Sequence, residues 1–507
     1  MLAKINSVAV IGLSAERVEV EVDLSGGLPA FNIVGLPDKA VEESKERVRS
    51  AIKNCDATFP PKRITVNLAP ADIRKEGPAY DLPIAMGILL ASGQLSFDAS
   101  KTIIVGELSL NGEIRHTNGV LTMTIAAREL GFETIIIPKS DAAEASMVEG
   151  IEVIAATSLF SLIDHFRGEG KIEPTPYKKF EEQEIQEYEI NFSQIIGQEH
   201  AKRALEIAAA GGHNLLMSGP PGSGKTLLAK ALCSILPPLS YEEALEVTKI
   251  YSVAGALSGK KSLVKTRPYR SPHHTTSGVA LIGGGTWPRP GEISLSHRGV
   301  LFLDELPEFP RSVLEVMRQP LEEGNITISR ANGSLNFPAK FILIAAQNPC
   351  PCGFSTDPER QCTCNMAQIV KYQKKISGPL LDRIDIHLEV PRVNYEKLSA
   401  GVAEETSEDI LSRVVSARKI QKGRFERRKT LCNSEMSLDE IKQFCKLDKE
   451  GQNLLLAASK QLSLSARGYH RILKLARTIA DLEKSSEIRP SHIAEALQYR
   501  PKSRLAI

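Results

Sequence analysis

Alternation of apolar and polar residues identifies the first elements of the chain. The stretch VEVEVDLS (18–25) repeats with period two, which is typical of a strand with one buried face. The stretch KAVEESKERVRSAIKN (39–54) places Val41, Val48 and Ile52 on one face of a helix, with charged residues elsewhere. The apolar stretches RITVNLAP and TIIIP predict buried strands. The N-terminal part is therefore predicted to mix α and β structure.

The pattern divides the chain into four segments. Residues 1–170 form the mixed domain, and the charged segment 171–193, which has almost no apolar periodicity, is predicted to be a linker. Residues 194–395 alternate apolar strands with glycine-rich loops, as in an α/β domain with a parallel sheet. Residues 396–507 have helical periodicity. The predicted fold class is multidomain α/β with an α-helical C-terminal domain.

A glycine-rich loop, GPPGSGKT, lies between the apolar strand HNLLMSG and the helix-forming stretch LLAKALCSIL. Such a loop fits G-x-x-x-x-G-K-[ST], whose backbone N–H groups and following helix N-terminus bind phosphates. Lys225 is expected to contact the β and γ phosphates of ATP, and Thr226 to ligate Mg²⁺. A chance glycine turn would lack the flanking strand and helix. The predicted ATP-binding residues are Gly219, Pro220, Pro221, Gly222, Ser223, Gly224, Lys225 and Thr226.

A second apolar strand, GVLFL, ends in the acids Asp304 and Glu305. Beside a phosphate loop, Asp304 is predicted to hold Mg²⁺, and Glu305 to orient and deprotonate the attacking water. Alone, a strand followed by an acidic turn would be an ordinary surface feature. After a phosphate loop, the acid pair favours ATP hydrolysis over passive nucleotide binding.

Polar residues in three later segments extend the predicted site. The strand FILIAAQNP ends at Gln347 and Asn348, where an amide can position the attacking water. The segment GPLLDRIDIH presents Arg383, which can stabilise charge in phosphoryl transfer or form a surface ion pair. Arg467 and Arg471 lie one helical turn apart, so both can face one ligand or simply solvent.

Four of the eight cysteines cluster in CPCGFSTDPERQCTC, between the Asn348 and Arg383 segments. Two short C-x-C pairs can supply a closed tetrahedral zinc site, although the single-residue gap is tighter than usual. Reduced thiols in a turn-rich loop are the alternative. The other four cysteines are scattered, which indicates a reducing compartment rather than a disulfide framework. The predicted zinc ligands are Cys350, Cys352, Cys362 and Cys364.

The overall charge gives little indication of a partner. With 63 basic and 61 acidic residues the net charge is +2, so any nucleic-acid surface must be local. The basic stretch SRVVSARKIQKGRFERRKT is such a candidate, but a solvated helix face is the favoured interpretation. The N-terminus does not resemble a signal peptide, and no long uncharged apolar stretch predicts a membrane span. We therefore expect a cytoplasmic protein without a membrane partner.

This order of motifs resembles the AAA+ ATPases, in particular their magnesium-chelatase-like ComM/YifB family. The most specific segments are IIGQEHAKRALEIAAAGGHNLLMSGPPGSGKT, SPHHTTSGVALIGGGTWPRPGEISLSHRGVLFLDELPEF, GPLLDRIDIH and SARGYHRILKLARTIADL. The resemblance implies an AAA+ domain over residues 194–395, followed by a helical lid, with ATP and Mg²⁺ as ligands.

The resemblance also implies roles for single residues. Asn348 matches sensor 1, and Arg467 matches the sensor 2 arginine, with Arg471 as the runner-up. Arg383 matches an arginine finger that acts on ATP in the neighbouring subunit, which requires a homo-oligomeric ring, usually a hexamer. The segment that packs near adenine is matched by Ile196, Gly197 and Gln198.

Two loops resemble pore loops of this AAA+ branch. The segment 271–285 matches a helix-2 insert, and the segment 326–339 reads as a hairpin that matches the pre-sensor-1 hairpin. Their residues His273, His274 and Arg330 are candidates for contact with DNA phosphates. A purely structural role for the paired histidines is equally open.

The N-terminal segment resembles the Lon protease domain without its Ser-Lys dyad. The position of the nucleophilic serine is occupied by Ala79, and that of the partner lysine by Met123. Neither side chain can act as nucleophile or base, so the resemblance implies a scaffold rather than a peptidase.

The favoured function is an ATP-driven ring motor acting on single-stranded or branched DNA, as a branch-migration helicase or translocase in recombination or natural transformation. The alternatives are a magnesium-chelatase-type motor subunit, an ATP-dependent protease and a nucleotide-switched scaffold. The absent dyad disfavours the protease, and Glu305 disfavours the scaffold, because a passive binder needs no catalytic acid.

Overall fold

Two compact units make up the structure. The computed structural model of the chain describes residues 2–75, 77–179, 188–257, 263–285, 288–330, 333–392, 404–462 and 464–500. Unit 1 comprises Met1–Glu182 and Ser240–Val264, and unit 2 comprises Gln183–Leu239 and Lys265–Ile507. Both units mix helices with parallel-strand sheets, as a multidomain α/β chain requires.

A seven-stranded sheet organises unit 1, in the order β3-β4-β2-β1-β5-β8-β9. Strands β1, β2 and β4 pair antiparallel, whereas β3 and the strands from β5 onward pair parallel with their neighbours. The short strands β6 and β7 form a separate ribbon. The strands are β1 Leu2–Ile11, β2 Ser14–Ser25, β3 Ala30–Val34, β4 Arg63–Ala69, β5 Thr102–Ile104, β6 Glu107–Leu108, β7 Ile114–Arg115, β8 Thr134–Pro138 and β9 Glu152–Ala156.

The helices of unit 1 cover this sheet. The predicted first helix is present, and Val41, Val48 and Ile52 are buried as its periodicity requires. Asp38 begins that helix, because its carboxylate accepts a hydrogen bond from the Val41 amide at 2.8 Å. The helices are α1 Lys39–Lys53, α2 Asp81–Ala91, α3 Val120–Glu129, α4 Ala142–Ala145 and α5 Leu159–Arg167.

Unit 2 begins with helix α6 (Glu199–Gly211), strand β10 (Leu215–Ser218) and helix α7 (Lys225–Ala231). The next helix, α8 (Tyr241–Ala254), belongs to unit 1. The Tyr241 hydroxyl donates to the Met147 carbonyl at 2.7 Å, and the Ser252 hydroxyl donates to Glu144 at 2.5 Å. The sequence-based division placed this helix inside the 194–395 segment, since nothing local distinguishes it from its neighbours.

A five-stranded parallel sheet forms the centre of unit 2, in the order β11-β14-β17-β10-β18. Strand β10 therefore lies between β17 and β18, and the carboxyl ends of all three meet at one edge. The strands are β11 Tyr269–Arg270, β12 Gly283–Gly284, β13 Arg289–Pro290, β14 Val300–Leu303, β15 Asn325–Arg330, β16 Gly333–Pro338, β17 Ile342–Gln347 and β18 Ile386–Glu389.

The predicted hairpin after β14 is present as β15 and β16. The two strands pair antiparallel from Asn325 opposite Pro338 to Arg330 opposite Gly333. Residues 331–332 between the two strands and the side chain of Arg330 lie outside the described residues. The helices between β11 and β18 are α9 Gly278–Ile282, α10 Glu292–Leu295, α11 Arg311–Val316, α12 Arg318–Glu323, α13 Met366–Gln373 and α14 Gly378–Leu381.

Helices alone follow β18 in the described ranges. Ser465 begins the helix Ala466–Leu482, because its hydroxyl accepts a hydrogen bond from the Gly468 amide at 3.1 Å. None of the described helices has the length and apolar character that crossing a bilayer demands. The helices are α15 Ser407–Arg424, α16 Leu438–Phe444, α17 Lys449–Gln461, α18 Ala466–Leu482 and α19 Pro490–Gln498.

A buried carboxylate joins helix α18 to the sheet of unit 2. Asp385, 3% exposed, pairs with Arg471 of α18, and it accepts a hydrogen bond from the Asn214 amide at 3.1 Å. His213 Nδ1 lies 3.4 Å from the same carboxylate. Burial alone would raise the pKa of Asp385, but the charges of Arg471 and His213 outweigh it and hold that pKa well below its usual value.

Asp385→Asn should destabilise the protein by about 3–5 kcal/mol, because Arg471, whose side chain is only 19% exposed, would lose its partner charge. Urea denaturation followed by circular dichroism measures the effect, with Asp382→Asn in the same segment as the control. Because the pKa of Asp385 is lowered in the folded state, its ion pair contributes fully to the free energy of unfolding at pH values above the unfolded pKa of about 4. The difference between wild type and variant should therefore persist at pH 5 and shrink only as the pH falls below about 4. Equal stability of the two variants at pH 7 would contradict the assignment.

Candidate nucleotide site

The phosphate loop, Gly219–Gly224, leaves the carboxyl end of β10 and turns into α7. Gly222 and Gly224 have φ values of 76° and 85°, a conformation that glycine adopts without strain. A Cβ at Gly219 would lie 2.1 Å from the Val390 carbonyl oxygen, so only glycine allows the loop to pass the end of β18. The glycines of the motif are therefore required by backbone geometry.

Lys225 lies inside the curl of this loop. Its Nζ donates to the carbonyl oxygens of Gly219 and Pro220 at 2.8 and 2.9 Å, and lies 3.4 Å from Asn348 Oδ1. Burial lowers the pKa of Lys225, and the carboxylates of Asp304 and Glu305 act in the opposite direction. The lysine predicted for the phosphates and the amide predicted as sensor 1 are thus neighbours at one sheet edge.

The two residues predicted to hold magnesium are also adjacent. Thr226 Oγ1 donates to Asp304 Oδ2 at 3.0 Å. Asp304 follows β14 directly, and its other oxygen accepts the Glu305 amide at 2.9 Å. A hydroxyl and a carboxylate at this spacing are oxygen ligands of the kind that Mg²⁺ takes.

Glu305 has an unexpected neighbour. Its backbone has a φ of 51°, a conformation uncommon for a residue other than glycine. His274 Nδ1 lies 3.4 Å from Glu305 Oε2, and the rings of His273 and His274 are 4.1 Å apart. From the sequence, both histidines are candidates for DNA contact, with a structural role equally open. The structure places His274 beside the predicted catalytic acid, a contact that no local pattern indicates.

The segment predicted to pack near adenine contacts the phosphate loop. Gln198 Nε2 donates to the Ser223 carbonyl at 2.8 Å, and the Gly197 amide donates to Glu404 at 2.7 Å. Ile196, which precedes them, is half-buried. Gln198 therefore contacts the phosphate loop, and a role of the segment beside adenine stays a prediction.

Two further features of the phosphate loop suit a phosphate ligand. The hydroxyl of Ser223 is buried and has no hydrogen-bond partner within the described ranges. A Cβ at Gly222 would meet nothing within 4 Å, so its backbone faces open space. A buried hydroxyl without a partner and an open glycine turn suit a ligand rich in oxygen.

The predicted arginine finger and sensor 2 arginine share one carboxylate. Arg383, buried at 7% exposure, pairs with Glu322 and donates to the Pro379 carbonyl at 2.7 Å. Arg467 Nη2 lies 2.6 Å from the other Glu322 oxygen. The runner-up, Arg471, is committed to Asp385. The hydrogen bonds described for Arg383 and Arg467 thus reach Glu322, which sequence reasoning did not single out, and not the phosphate loop.

The four clustered cysteines come together. The sulfur atoms of Cys350, Cys352 and Cys362 are separated by 3.4–3.7 Å. With Cys364, all four lie within 4.8 Å of one another. Tetrahedral thiolate sites with Zn–S of about 2.3 Å have sulfur separations of about 3.8 Å, whereas a disulfide needs about 2.05 Å. Hydrogen bonds from the backbone of Phe354 and Thr363 lower the pKa of Cys352 to about 5.

The two positions expected to lack the Lon dyad lie in one apolar cluster of unit 1. Ala79 is 8% exposed and Met123 is 4% exposed. Both pack in the cluster formed with Val8, Val105 and Val120. Both positions therefore belong to one buried cluster, and they hold a methyl group and a thioether.

Comparison with known proteins agrees with this geometry. Residues 191–398 match the family "Magnesium chelatase, subunit ChlI", residues 20–141 match "Subunit ChlI of Mg-chelatase", and residues 404–500 match "Magnesium chelatase, subunit ChlI C-terminal".

Full-length relatives agree as well. The chain is 46% identical to competence protein ComM of Haemophilus influenzae over 99% of its own length and 98% of that protein. It is 43% identical to YifB of Escherichia coli over 100% of this chain and 98% of that protein. The magnesium-chelatase subunit ChlI of Cyanidium caldarium is 24% identical over 49% of this chain and 71% of its own. The chain belongs to the magnesium-chelatase-like ComM/YifB family of AAA+ proteins.

Proposed function

We propose that the chain hydrolyses ATP in a homo-oligomeric ring, by analogy a hexamer, and uses that energy to move DNA. One observation carries the ATPase part. Three strand ends bring Lys225 to Asn348 and Thr226 to Asp304 around the phosphate loop, and Glu305 follows Asp304. This set contains a phosphate-binding cation, magnesium ligands and a catalytic acid.

The residues divide the chemistry between them. The phosphate loop and Lys225 bind the phosphates, and Ile196, Gly197 and Gln198 form the wall beside the base. Thr226 and Asp304 would hold Mg²⁺, which neutralises phosphate charge when it is bound. Glu305 orients the attacking water and accepts its proton, while Asn348 fixes the water from the other side. His274 holds the Glu305 carboxylate at 3.4 Å until nucleotide is bound.

Arg383 and Arg467 complete the site in the ring. Glu322 binds both guanidinium groups in the isolated chain, so neither charge is left without a partner. In the ring, Arg383 exchanges Glu322 for the ATP of the adjacent subunit, and Arg467 turns to the ATP of its own subunit. A guanidinium group placed there stabilises the charge that develops during phosphoryl transfer.

Support for DNA as the substrate comes from the family. The Haemophilus influenzae relative is named a competence protein, which points to the handling of incoming DNA. We propose single-stranded or branched DNA in the cytoplasm, threaded past His273 and the β15–β16 hairpin. Balanced net charge favours contact through such local loops over a charged face. A magnesium-chelatase-type motor is the second candidate, because all three family matches carry the ChlI description.

We further propose a structural zinc ion bound by Cys350, Cys352, Cys362 and Cys364. The spacing of the sulfur atoms suits a closed tetrahedral site without an open position for substrate. Such an ion braces the loop between Asn348 and Arg383 and takes no part in the chemistry.

Lys225→Ala should abolish ATP hydrolysis and weaken ATP binding, whereas Glu305→Gln should bind ATP and lose about 10²–10⁴-fold in turnover. Phosphate release and binding of a labelled four-way junction are measured together, with Glu308→Gln, exposed and paired with Lys375, as the matched control. A wild type that neither binds nor resolves branched or single-stranded DNA would exclude the DNA motor. Persistent turnover in Glu305→Gln would remove that residue from the base role.

Arg383→Ala should keep ATP binding and lose hydrolysis, since Arg383 is proposed to act on the ATP of the adjacent subunit and not to bind the ATP of its own subunit. A mixture of Arg383→Ala and Lys225→Ala subunits should regain part of the turnover. In such a ring, the intact Arg383 of a Lys225→Ala subunit can act on the ATP bound by an adjacent Arg383→Ala subunit, whose own Lys225 is intact. Each variant alone is the control. A mixture as inactive as its components would argue that Arg383 does not act across the interface.

The purified protein should contain one zinc ion per chain, measured by elemental analysis. Cys350→Ser should lower this content and the thermal stability. Cys432→Ser, at a buried cysteine outside the cluster, should leave the metal in place. A measured zinc content well under one ion per wild-type chain would contradict the proposed zinc site.

A further inference from the structure

The cysteine loop touches the phosphate loop directly. A Cβ at Gly353 would lie 2.6 Å from Pro221 Cδ and 2.8 Å from Pro221 Cγ, so the Gly353 backbone packs against that ring without room for a methyl group. Gly353 follows Cys352 in the sequence and has a φ of 87°. The contact therefore joins a residue next to a predicted metal ligand to the backbone that is expected to bind phosphates.

The same loop bears on the phosphate loop at a second point. Asn348 lies two residues before Cys350, and its Oδ1 is 3.4 Å from Lys225 Nζ. Cys350 is completely buried, and neither a helix nor a strand forms between Asn348 and Cys364. Within the described loop, backbone hydrogen bonds form only isolated turns, such as Gly353 N–H to the Cys350 carbonyl at 3.0 Å, so side chains contribute much of its shape.

One side-chain cluster fixes the outer part of the loop. Arg392 Nε lies 2.9 Å from the buried carboxylate of Asp357. The guanidinium groups of Arg360 and Arg392 lie 5.3 and 5.7 Å from the centroid of the Phe354 ring. These contacts attach the middle of the loop to the chain that follows β18. The inner part touches Pro221 and Lys225; besides the four sulfur atoms, a turn hydrogen bond from the Gly353 amide to the Cys350 carbonyl at 3.0 Å and one from Gln373 Nε2 to the Pro349 carbonyl at 3.2 Å hold it.

We propose that this cysteine loop, with zinc bound, is a positioning element for the phosphate loop, so that metal occupancy sets the affinity for MgATP. The inference rests on the zinc site proposed above. The ion draws Cys350 and Cys352 together, which holds Asn348 against Lys225 on one side and Gly353 against Pro221 on the other. Loss of the ion releases both contacts. The protein then binds ATP less tightly, while Glu305, which lies outside the loop, keeps its position.

This arrangement makes the ATPase responsive to zinc supply. A thiolate site half open to solvent, as at Cys352, Cys362 and Cys364, can lose its ion to a competing ligand. Loss of the ion therefore raises the KM for ATP, and it lowers kcat as well to the extent that Asn348 is released from its place beside the water.

The test separates the contact from the metal. Gly353→Ala should keep one zinc ion per chain and raise the KM for ATP at least about tenfold, with kcat nearly unchanged, because the added methyl displaces Pro221. Pro221→Ala combined with Gly353→Ala should restore much of the affinity, since removal of the ring leaves room for the methyl. Gly131→Ala, with φ of 83° and nothing within 4 Å of its Cβ, controls for backbone strain alone. In the wild type, a zinc-selective chelator in excess Mg²⁺ should raise the KM similarly.

Each outcome decides between the two proposals. Unchanged KM in Gly353→Ala would overturn the positioning role even if zinc is present. A KM that rises with loss of zinc and is not rescued by Pro221→Ala would assign the effect to misfolding and also overturn it. A wild type without zinc would defeat the metal site itself, whatever the behaviour of Gly353→Ala.

Discussion

A buried ammonium group needs oxygen partners, and this requirement at Lys225 shapes the centre of unit 2. Two of its partners are carbonyls of the phosphate loop, and the third is the side chain of Asn348 from the adjacent strand. For the loop carbonyls to turn inward, the loop must curl tightly, and the curl requires left-handed glycines and a close passage by Val390. This arrangement also requires the observed strand order. Strand β10 must lie between β17, which is followed by Asn348, and β18, which is followed by Val390.

Sequence reasoning succeeded where the chemistry is written in a short stretch. The phosphate loop, the acid pair after β14 and the amide after β17 each sit at the end of an apolar strand, and parallel strands bring such ends together. It failed where partners lie far apart in the chain. Glu322 is 61 residues from Arg383 and 145 from Arg467, so no periodicity could connect them. The contact between His274 and Glu305, and the packing of α8 in unit 1, depend on tertiary structure in the same way.

The basic stretch in α15 illustrates how charge in a sequence can mislead. Arg413 pairs with Glu206 and Glu405, and Arg424 pairs with the buried Asp481. Arg418 donates to the Ala209 carbonyl, so that the guanidinium groups on this side fasten the helix to its neighbours. The exposed charges are Lys419, Lys422, Arg427, Arg428 and Lys429, of which Arg428 is still paired with Glu440. Three of the eight basic residues of this stretch are therefore bound within the fold, and the other five lie at the surface.

Helix α8 has a consequence for how the protein can be divided. It lies in sequence between the phosphate-loop helix and β11, yet its Leu245 packs on the small apolar cluster of Leu121, Ile125 and Val148 in unit 1. A fragment that ends near residue 182 would leave that cluster uncovered, and a fragment that starts there would carry α8 without its neighbours. No single break in the polypeptide yields two complete units. A gene rearrangement that exchanges one unit must therefore cut the chain at three places, which ties the inheritance of the N-terminal unit to that of the nucleotide site.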